Sequence, residues 1–312
     1  MKKYVIISDS SIDLPKETRE RFEIEFPIPG KIIYSDGRIE DADSDWERST
    51  PKDYFEGELK KGIKTSLPNQ YEITSRLEPF FEQGLDILAI VLSSGISGTY
   101  SAFITAGEEL MAKYPERKII VVDTLRYSSA IGLLCIDASI NRANGMSLEE
   151  NAEAINKKKL TVHQCGILDD LKFLARNGKI TGFKAFMGTM VGIKSIADFS
   201  NETGQPFPLG TARGYKRAFA VIEKYVQVTS GTTKGKLFVV EHSMRPELAD
   251  KLKAIIEENF EPGEVFMTRC GQTNGSAIGP GLATILYFGD QPISEGVQRE
   301  VTLFKEISAN LK

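Results

Sequence analysis

The chain has 312 residues, 41% of them hydrophobic, so it is long enough for two ordinary domains that each bury a core. The formal net charge of −4 at pH 7 includes no basic excess, which argues against nucleic acid as a partner. The three cysteines are widely spaced and form no C-x-x-C pair, which argues against a zinc site and favours reduced thiols in a cytoplasmic protein.

The apolar runs indicate neither a secretion signal nor a membrane span. The first run, Tyr4–Ile7, is far too short for the apolar region of a signal peptide. No later run approaches the length that crosses a bilayer. We therefore expect a cytoplasmic protein without a membrane span.

The first half of the chain alternates between short apolar runs and helical patterns. The runs at residues 4–8, 85–92 and 119–122 each end in polar side chains and lead towards a predicted helix. Such alternation predicts a parallel, Rossmann-like sheet with helices on both faces. The carboxyl ends of these strands are where such a fold places ligands.

A lysine-rich point at residues 157–159 is the predicted domain boundary. It gives an N-terminal α/β domain at residues 1–159 and a C-terminal α/β domain at residues 160–312. Residues 201–204 have hairpin turn chemistry between two strand patterns, so we expect a mixed sheet in the second domain, followed by an extra C-terminal helix. A cleft between two packed domains is the expected place for a ligand.

The hydroxyl- and glycine-rich stretch at residues 92–100, L-S-S-G-I-S-G-T-Y, is the strongest candidate site. It follows a buried strand and precedes a helical pattern. Ser97 is the predicted N-cap, and the N–H groups of Gly98 and Thr99 would then favour an anion through hydrogen bonds and the helix dipole. The simpler alternative is that Ser97 only caps its own helix.

Two catalytic interpretations of this stretch are weaker. It comes close to the nucleophile elbow G-x-S-x-G, but Thr99 occupies the place of the final glycine, and nothing in the spacing brings His163 or His242, the two histidines, to Ser97. Nucleotide binding lacks both G-x-G-x-x-G after the first strand and G-x-x-x-x-G-K-[ST]. A hydrolase or phosphate-ester enzyme that uses Ser97 remains the alternative hypothesis.

A carboxylate needs only two or three donors, with no metal or other cofactor. Thr65, in a polar turn, and Ser97 are hydroxyl donors on loops that this topology could place together. Each charge-assisted hydrogen bond contributes about 1.5 to 3 kcal/mol. The sequence therefore favours a carboxylate ligand over a phosphate ester.

An apolar stripe at helical spacing in the second half has two interpretations. Such a stripe, rich in flexible methionines, is more often plain core. If it lines a tunnel, burial at about 0.8 kcal/mol per methylene would give a long acyl chain about 10 kcal/mol of gross affinity. The stripe consists of Phe183, Phe186, Met187, Met190 and Val191.

Taken together, these loops resemble the DegV family of bacterial fatty-acid-binding proteins. The resemblance spans about residues 1–288, and its motifs are specific as an ordered set although no single one is. The matches are Asp9-Ser10-Ser11 with Asp13-Leu14-Pro15, Thr65-Ser66 with Pro68, Leu92-Ser93-Ser94-Gly95 with Ser97-Gly98-Thr99-Tyr100, Asp169-Asp170-Leu171-Lys172 leading to Gly178-Lys179-Ile180, Lys194, Arg213, and Gly279-Pro280-Gly281.

The resemblance implies a two-domain α/β protein that is not an enzyme and holds one long-chain fatty acid between its domains. It implies that Thr65 and Ser97 hold the carboxylate, and that some members present it to a separate ATP-dependent fatty-acid kinase. Lys179 and Arg213 are then candidates for the partner surface. The full set of ligand-binding positions that we carry over is Thr65, Ser66, Ser97, Gly98, Thr99, Ala277 and Gly279.

The chain departs from the family pattern at several positions. Ala277 stands where members usually have a head-group histidine, Ser195 where proline is common, Lys179 where arginine is frequent and Thr124 where serine is frequent. Residues 291–312 extend past the usual end of the family. The alanine gives weight to a third hypothesis, that of a regulatory or interaction module with a vestigial site.

Overall fold

The computed structural model describes residues 3–169, 171–176 and 192–311. By its internal contacts the chain divides into two units. The first contains the residues up to Lys159 together with Gly271–Ser276, and the second contains Leu160–Cys270 and the residues from Ala277 onward. No described helix is both long enough and apolar enough to cross a membrane.

The secondary structure follows the predicted alternation of strands and helices. Its first half contains β1 (Tyr4–Ile7), α1 (Lys16–Arg21), β2 (Lys31–Ile33), β3 (Ile39–Asp41), a π-helical turn (Asp53–Glu58) that continues into α2 (Leu59–Lys61), β4 (Lys64–Ser66), α3 (Gln70–Glu82), β5 (Asp86–Val91), α4 (Thr99–Lys113), β6 (Ile119–Asp123), α5 (Ser129–Ala143) and α6 (Leu148–Lys158). Its second half contains a 3₁₀ turn (Lys159–Thr161), β7 (Val162–Leu168), α7 (Leu171–Arg176), β8 (Ile193–Phe199), β9 (Pro206–Arg213), α8 (Gly214–Thr229), β10 (Leu237–His242), α9 (Pro246–Asn259), β11 (Glu264–Arg269), α10 (Gln272–Ile278), β12 (Leu282–Phe288), a 3₁₀ turn (Glu295–Val297) and α11 (Gln298–Asn310).

A parallel sheet in the order β1–β5–β6 forms the centre of the first unit. Ile87 of β5 lies opposite Val5 on one side and Ile119 on the other. Because β5 is apolar from Ile87 onward, both faces of the sheet need cover. Helices α3 and α4 pack on one face, and α5 and α6 contact the same strands from the other. This arrangement confirms the predicted Rossmann-like sheet.

A small antiparallel sheet in the order β3–β2–β4 completes the first unit. The amino-acid sequence does not predict this pairing, because three-residue strands are too short to show a periodic pattern. Strand β2 places Ile32, which is fully buried, opposite Thr65 of β4. The sheet therefore fixes the position of Thr65 on an edge strand.

The second unit contains a mixed six-stranded sheet in the order β11–β10–β12–β7–β8–β9. Strands β10 and β11 pair in parallel, and the other neighbours pair antiparallel. The predicted hairpin is present between β8 and β9, where Gly204 has a φ of 61° and donates its N–H to the carbonyl of Ser200. Helices α8, α9 and α11 supply apolar side chains to the core of this unit.

The segment Gly271–Ser276 lies with the first unit, although the sequence-based limits place it in the C-terminal domain by chain order. Gln272 accepts a hydrogen bond from the N–H of Asp43 at 2.8 Å. Asn274 donates to the carboxylate of Asp13 at 2.5 Å. These contacts join residues more than 200 positions apart in the chain, so local sequence patterns do not reveal them.

Candidate ligand site

The loop between β5 and α4 is a tight turn built on Ser93. The carbonyl of Ser93 accepts the N–H groups of Ile96 and Ser97 at 3.0 and 3.1 Å, and its hydroxyl accepts the N–H of Gly95 at 3.1 Å. These bonds satisfy the backbone of the loop without a regular strand. Ser97 is half-buried and lies two residues before the first residue of α4.

Ser97 is not the N-cap that the sequence predicts. The helix begins at Thr99, so Gly98 is the N-cap, with φ −72° and ψ 5°. The turn on Ser93 holds the backbone of Ser97, and helical geometry therefore starts two residues later. The hydroxyl of Ser97 nevertheless accepts the N–H of Thr99 at 3.3 Å and lies 2.9 Å from the hydroxyl oxygen of Thr99.

The amino terminus of α4 offers backbone donors for an anion. Within the described part of the chain, the N–H groups of Gly98, Tyr100 and Ser101 make no hydrogen bond. The helix is 15 residues long, so its dipole places partial positive charge at this end. Gly98 is exposed, so an anion can reach the backbone there.

The loop after β4 lies against the start of α4. A methyl group of Leu67 is 3.5 Å from the position that a Cβ on Gly98 would occupy. Thr65 is half-buried two residues earlier, and its hydroxyl makes no hydrogen bond to another described residue. The hydroxyl of Ser66 donates to the carbonyl of Leu67 at 3.3 Å, so this hydroxyl makes a hydrogen bond within its own loop.

Asp9 positions two of the strand-end loops, a role that is not evident from the sequence. Its carboxylate accepts the N–H of Leu92 at 2.9 Å and that of Ser11 at 2.8 Å, and so ties the loop after β1 to the loop after β5. Burial raises the pKa of Asp9, and these N–H donors oppose the rise. The signal in the sequence was an aspartate directly after a strand, which only indicates a turn.

Asp123 fixes the same loop from the end of β6. One carboxylate oxygen accepts the N–H groups of Ser94 at 3.0 Å and Leu125 at 3.1 Å. The ammonium group of Lys159 donates to the carbonyl of Asp123 at 2.5 Å. Burial lowers the pKa of Lys159, and the charge of Asp123 opposes this shift.

Arg126 places a positive charge in the interior of the first unit. Its side chain is fully buried, and its guanidinium donates to the carbonyl of Leu125 at 2.8 Å. Its own carbonyl accepts the N–H of Ser93 at 3.1 Å, so the residue adjoins the turn that presents Ser97. The sequence does not predict this burial, because a single arginine after a strand is usually exposed.

Three non-glycine residues near these strand ends have a strained backbone conformation. Asp13, Leu125 and Ser128 have φ values of 45°, 53° and 58°. The Ser128 hydroxyl donates to the carboxylate of Asp13 at 2.5 Å, a bond that helps to hold both residues. Non-glycine residues in such conformations cost on the order of 1 to 3 kcal/mol each and cluster at functional sites.

Three predicted site residues lie in the second unit. Ala277 is buried in the last turn of α10, which ends at Ile278. Gly279 follows with a φ of 73°, and a Cβ there would lie 2.5 Å from the ring of Phe173. The hydroxyl of Ser243 donates to the carbonyl of Gly279 at 2.5 Å. Arg213 is exposed at the end of β9.

The predicted acyl-chain stripe and one partner-surface residue lie outside the described residues, and they stay predictions. These positions are Lys179, Phe183, Phe186, Met187, Met190 and Val191. The described hydrogen bonds of the Ser97 hydroxyl involve Thr99 and neither histidine. Nothing in the described geometry therefore supplies the base that a serine hydrolase requires.

Related proteins have similar sequences along most of their length. A DegV domain-containing protein of Clostridium perfringens is 29% identical over 294 residues, which cover 93% of this chain and 99% of the relative. A fatty acid-binding protein of Thermotoga maritima is 26% identical over 285 residues, which cover 89% of this chain and 95% of the relative.

Solved structures share the fold. A DegV family protein from Thermus thermophilus, described by its fatty acid binding, matches with a TM-score of 0.82 at 24% identity and covers 92% of this chain and 99% of its own. DegV of Bacillus subtilis, described as a fatty acid binding protein, matches with a TM-score of 0.78 at 24% identity and covers 93% of this chain and 100% of its own. The two-domain α/β fold is thus common to all three proteins.

The family itself follows from a match along the chain. Residues 3–290 match the family model described as "Uncharacterised protein, DegV family". Strands β1 to β12 all lie within the matched residues, and α11 lies beyond them. The chain therefore belongs to the DegV family.

Proposed function

We propose that this protein binds one long-chain fatty acid without catalysing a reaction, and that the hydroxyls of Thr65 and Ser97 and the N–H of Gly98 receive the carboxylate. The names of the relatives from Thermotoga maritima and Bacillus subtilis support the class of ligand. No cofactor enters this proposal, because neutral donors and a helix terminus suffice for a carboxylate.

The observation that carries the proposal is the donor set at the start of α4. Ser97 already accepts the N–H of Thr99, and the Thr99 hydroxyl can donate to the same oxygen, so the Ser97 proton is available to a ligand. The N–H of Gly98 and the hydroxyl of Thr65 are uncommitted within the described chain. Three such donors can replace the hydrogen bonds that water makes to a free carboxylate.

The acyl chain needs an apolar channel, and the predicted stripe at residues 183–190 is our candidate for its wall. Burial of a long chain contributes about 10 kcal/mol before ordering costs, at about 0.8 kcal/mol per methylene. The chain would thus supply most of the affinity, and the carboxylate donors would fix the orientation. A cytoplasmic carrier of this kind could present the carboxylate to an ATP-dependent fatty-acid kinase, with Lys179 and Arg213 at the partner surface.

Titration of delipidated protein with fatty acids of several chain lengths tests the proposal. Thr65→Val and Ser97→Ala should each weaken binding about 10- to 150-fold, because each removes a charge-assisted hydrogen bond of about 1.5 to 3 kcal/mol. Ser75→Ala is the matched control, since the Ser75 hydroxyl is exposed on α3 and donates to the carbonyl of Glu72. A fatty alcohol of equal length should bind the parent weakly.

The proposal fails if the parent binds none of the fatty acids. The assignment of the carboxylate site fails if Thr65→Val and Ser97→Ala both bind as tightly as Ser75→Ala does. The hypothesis of a regulatory module with a vestigial site predicts this second result, namely that substitutions of Thr65 and Ser97 change no ligand affinity.

A further inference from the structure

A pocket of about 720 Å³ lies in the first unit and opens to solvent at the amino end of the parallel sheet. Tyr4 and Asp86, the first residues of β1 and β5, line it. The end of α5, the start of α6 and the loop after α1 complete its walls. Ser97 follows the opposite end of β5, so the length of this strand separates the pocket from the proposed carboxylate site.

A buried guanidinium with an unused donor atom lies at this pocket. Arg142, in the last turn of α5, lines the pocket with a side chain that is 8% exposed. The guanidinium makes its hydrogen bonds to described residues through Nη2 alone, with the carbonyls of Phe22 and Glu23 at 3.4 and 3.0 Å and the Glu23 carboxylate at 3.5 Å. Nη1 is buried without a partner among them. A buried charged donor left unpaired is costly, so a ligand that accepts from it is favoured.

The carboxylates that line the pocket each have a partner already. The pairs are Glu23 with Arg142, Asp86 with the N–H of Lys118, Glu149 with the ammonium group of Lys118, and Glu150 with the N–H and hydroxyl of Ser147. Lys3 also lines the pocket, is exposed and has no ion-pair partner in the described chain. The uncommitted charge at the pocket is therefore positive and favours an anion. Because four carboxylates stay nearby, a ligand with one negative charge suits the pocket better than one with two.

Apolar side chains share the pocket with the guanidinium. Ile140 and Met146 both line it, and each is 38% exposed. The hydroxyl of Tyr4 donates to the carbonyl of Met146 at 3.2 Å, which ties the loop between α5 and α6 to the start of β1. A hydrocarbon group that covered Ile140 and Met146 would remove their apolar surface from water. A carboxylate joined to a short hydrocarbon group would therefore use both features of the pocket.

We propose that this pocket binds a small monocarboxylate with a short aliphatic body. The carboxylate accepts hydrogen bonds from the guanidinium of Arg142 and faces the ammonium group of Lys3, and the aliphatic body covers Ile140 and Met146. A guanidinium suits this ligand because its planar array of donors matches the geometry of a carboxylate. The site is independent of the proposed fatty-acid site, because none of the residues proposed to bind the fatty acid lines this pocket.

Calorimetric titration with 4-methylpentanoate at about 0.15 M salt tests the proposal, since salt at that level screens diffuse attraction between exposed charges. We expect saturable binding of one molecule per chain. The neutral analogue 4-methylpentanamide should bind at least about tenfold more weakly, and Arg142→Gln should weaken binding of the acid to a similar extent, because each change removes a charge-assisted hydrogen bond. Met146→Glu should weaken binding about two- to fivefold, as expected for one exposed like charge.

Val228→Glu is the control for Met146→Glu, because it adds the same charge at an exposed apolar position of α8 outside the pocket. A saturating long-chain fatty acid should leave the affinity for 4-methylpentanoate unchanged, since the two ligands have separate sites.

The proposal is overturned if 4-methylpentanoate shows no saturable binding, if the amide binds as tightly, or if the long-chain fatty acid displaces the acid. It is also overturned if a folded Arg142→Gln protein binds 4-methylpentanoate as the parent does. Met146 is exposed, so Met146→Glu keeps the test valid even if Arg142→Gln does not fold. A loss of affinity no greater than that caused by Val228→Glu would then overturn the proposal.

Discussion

His242 is a histidine whose environment strongly disfavours its charged form. It lies at the end of β10, is 7% exposed and accepts the N–H of Arg245 at its Nδ1. Burial lowers its pKa to about 4, and the positive charge of Arg269 adds to this effect. The carboxylates of Asp250 and Glu247 oppose the shift without cancelling it.

This shift makes the stability of the protein depend on pH. Above about pH 6.5 the imidazole is neutral in both the folded and the unfolded chain. As the pH falls towards 4, the unfolded chain binds a proton that the folded chain does not, so the free energy of unfolding falls by at most about 3 kcal/mol. We expect His242→Gln to remove this part of the acid sensitivity in urea unfolding at about pH 7 and about pH 4.5. Equal losses in parent and variant would contradict the assignment.

The sequence indicates the residues proposed to bind the ligand carboxylate more clearly than it indicates the residues that position them. Thr65 and Ser97 can be chosen as candidates because hydroxyl residues and glycines in polar turns and at helix starts form a local sequence pattern. The role of Asp9 depends on a contact with Leu92, which lies 83 positions away. Arg126 likewise gains its burial from tertiary packing. No local pattern encodes such distant partners, so the sequence identifies Thr65 and Ser97 as candidate donors but does not identify the residues that position them.

Helix α11 depends on a close approach to strand β9. A Cβ on Gly210 would lie 2.4 Å from the ring of Phe304, whose side chain is buried in the core of the second unit. Glycine is therefore required at position 210 for packing, because only a residue without a side chain leaves room for this aromatic ring.

Gly210→Ala should lower the free energy of unfolding by about 1 to 3 kcal/mol, as expected when a methyl group is forced into a packed core. Denaturant unfolding at neutral pH measures the change. Gly57→Ala is the matched control, since a Cβ at Gly57 has no neighbour within 4 Å. A Gly210→Ala protein as stable as the control would show that α11 does not pack as closely on β9 as described.

The elements that the sequence predicted correctly are those with strong local signals. Strands β1, β5 and β6 are apolar runs followed by polar turns, and the β8–β9 hairpin has a turn glycine with a positive φ. Helix α10 has no such signal, because its short length and the glycine at position 275 hide a helical pattern. Hydrogen bonds within the first unit hold its first turn: the Gln272 side chain accepts the N–H of Asp43, and the Asn274 side chain donates to the carbonyl of Ser11.

At the scale of the whole molecule, chain order and structural unit are not the same. The chain leaves the second unit after Cys270, contributes Gly271–Ser276 to the first, and returns at Ala277. A single boundary placed by composition divides the chain into two continuous segments. It cannot describe a unit that also contains a separate, later segment of the chain. The family match likewise spans both units but ends before α11, which is the part of this chain that the family does not account for.

The central claim is that the intact protein carries a fatty acid. Organic extraction of protein purified under native conditions, followed by mass spectrometry, tests it most directly. We expect about one fatty acid per chain from the parent and much less from a Thr65→Ala, Ser97→Ala double variant, which lacks two carboxylate donors. A parent that yields no fatty acid and also takes up none when it is added would contradict the account.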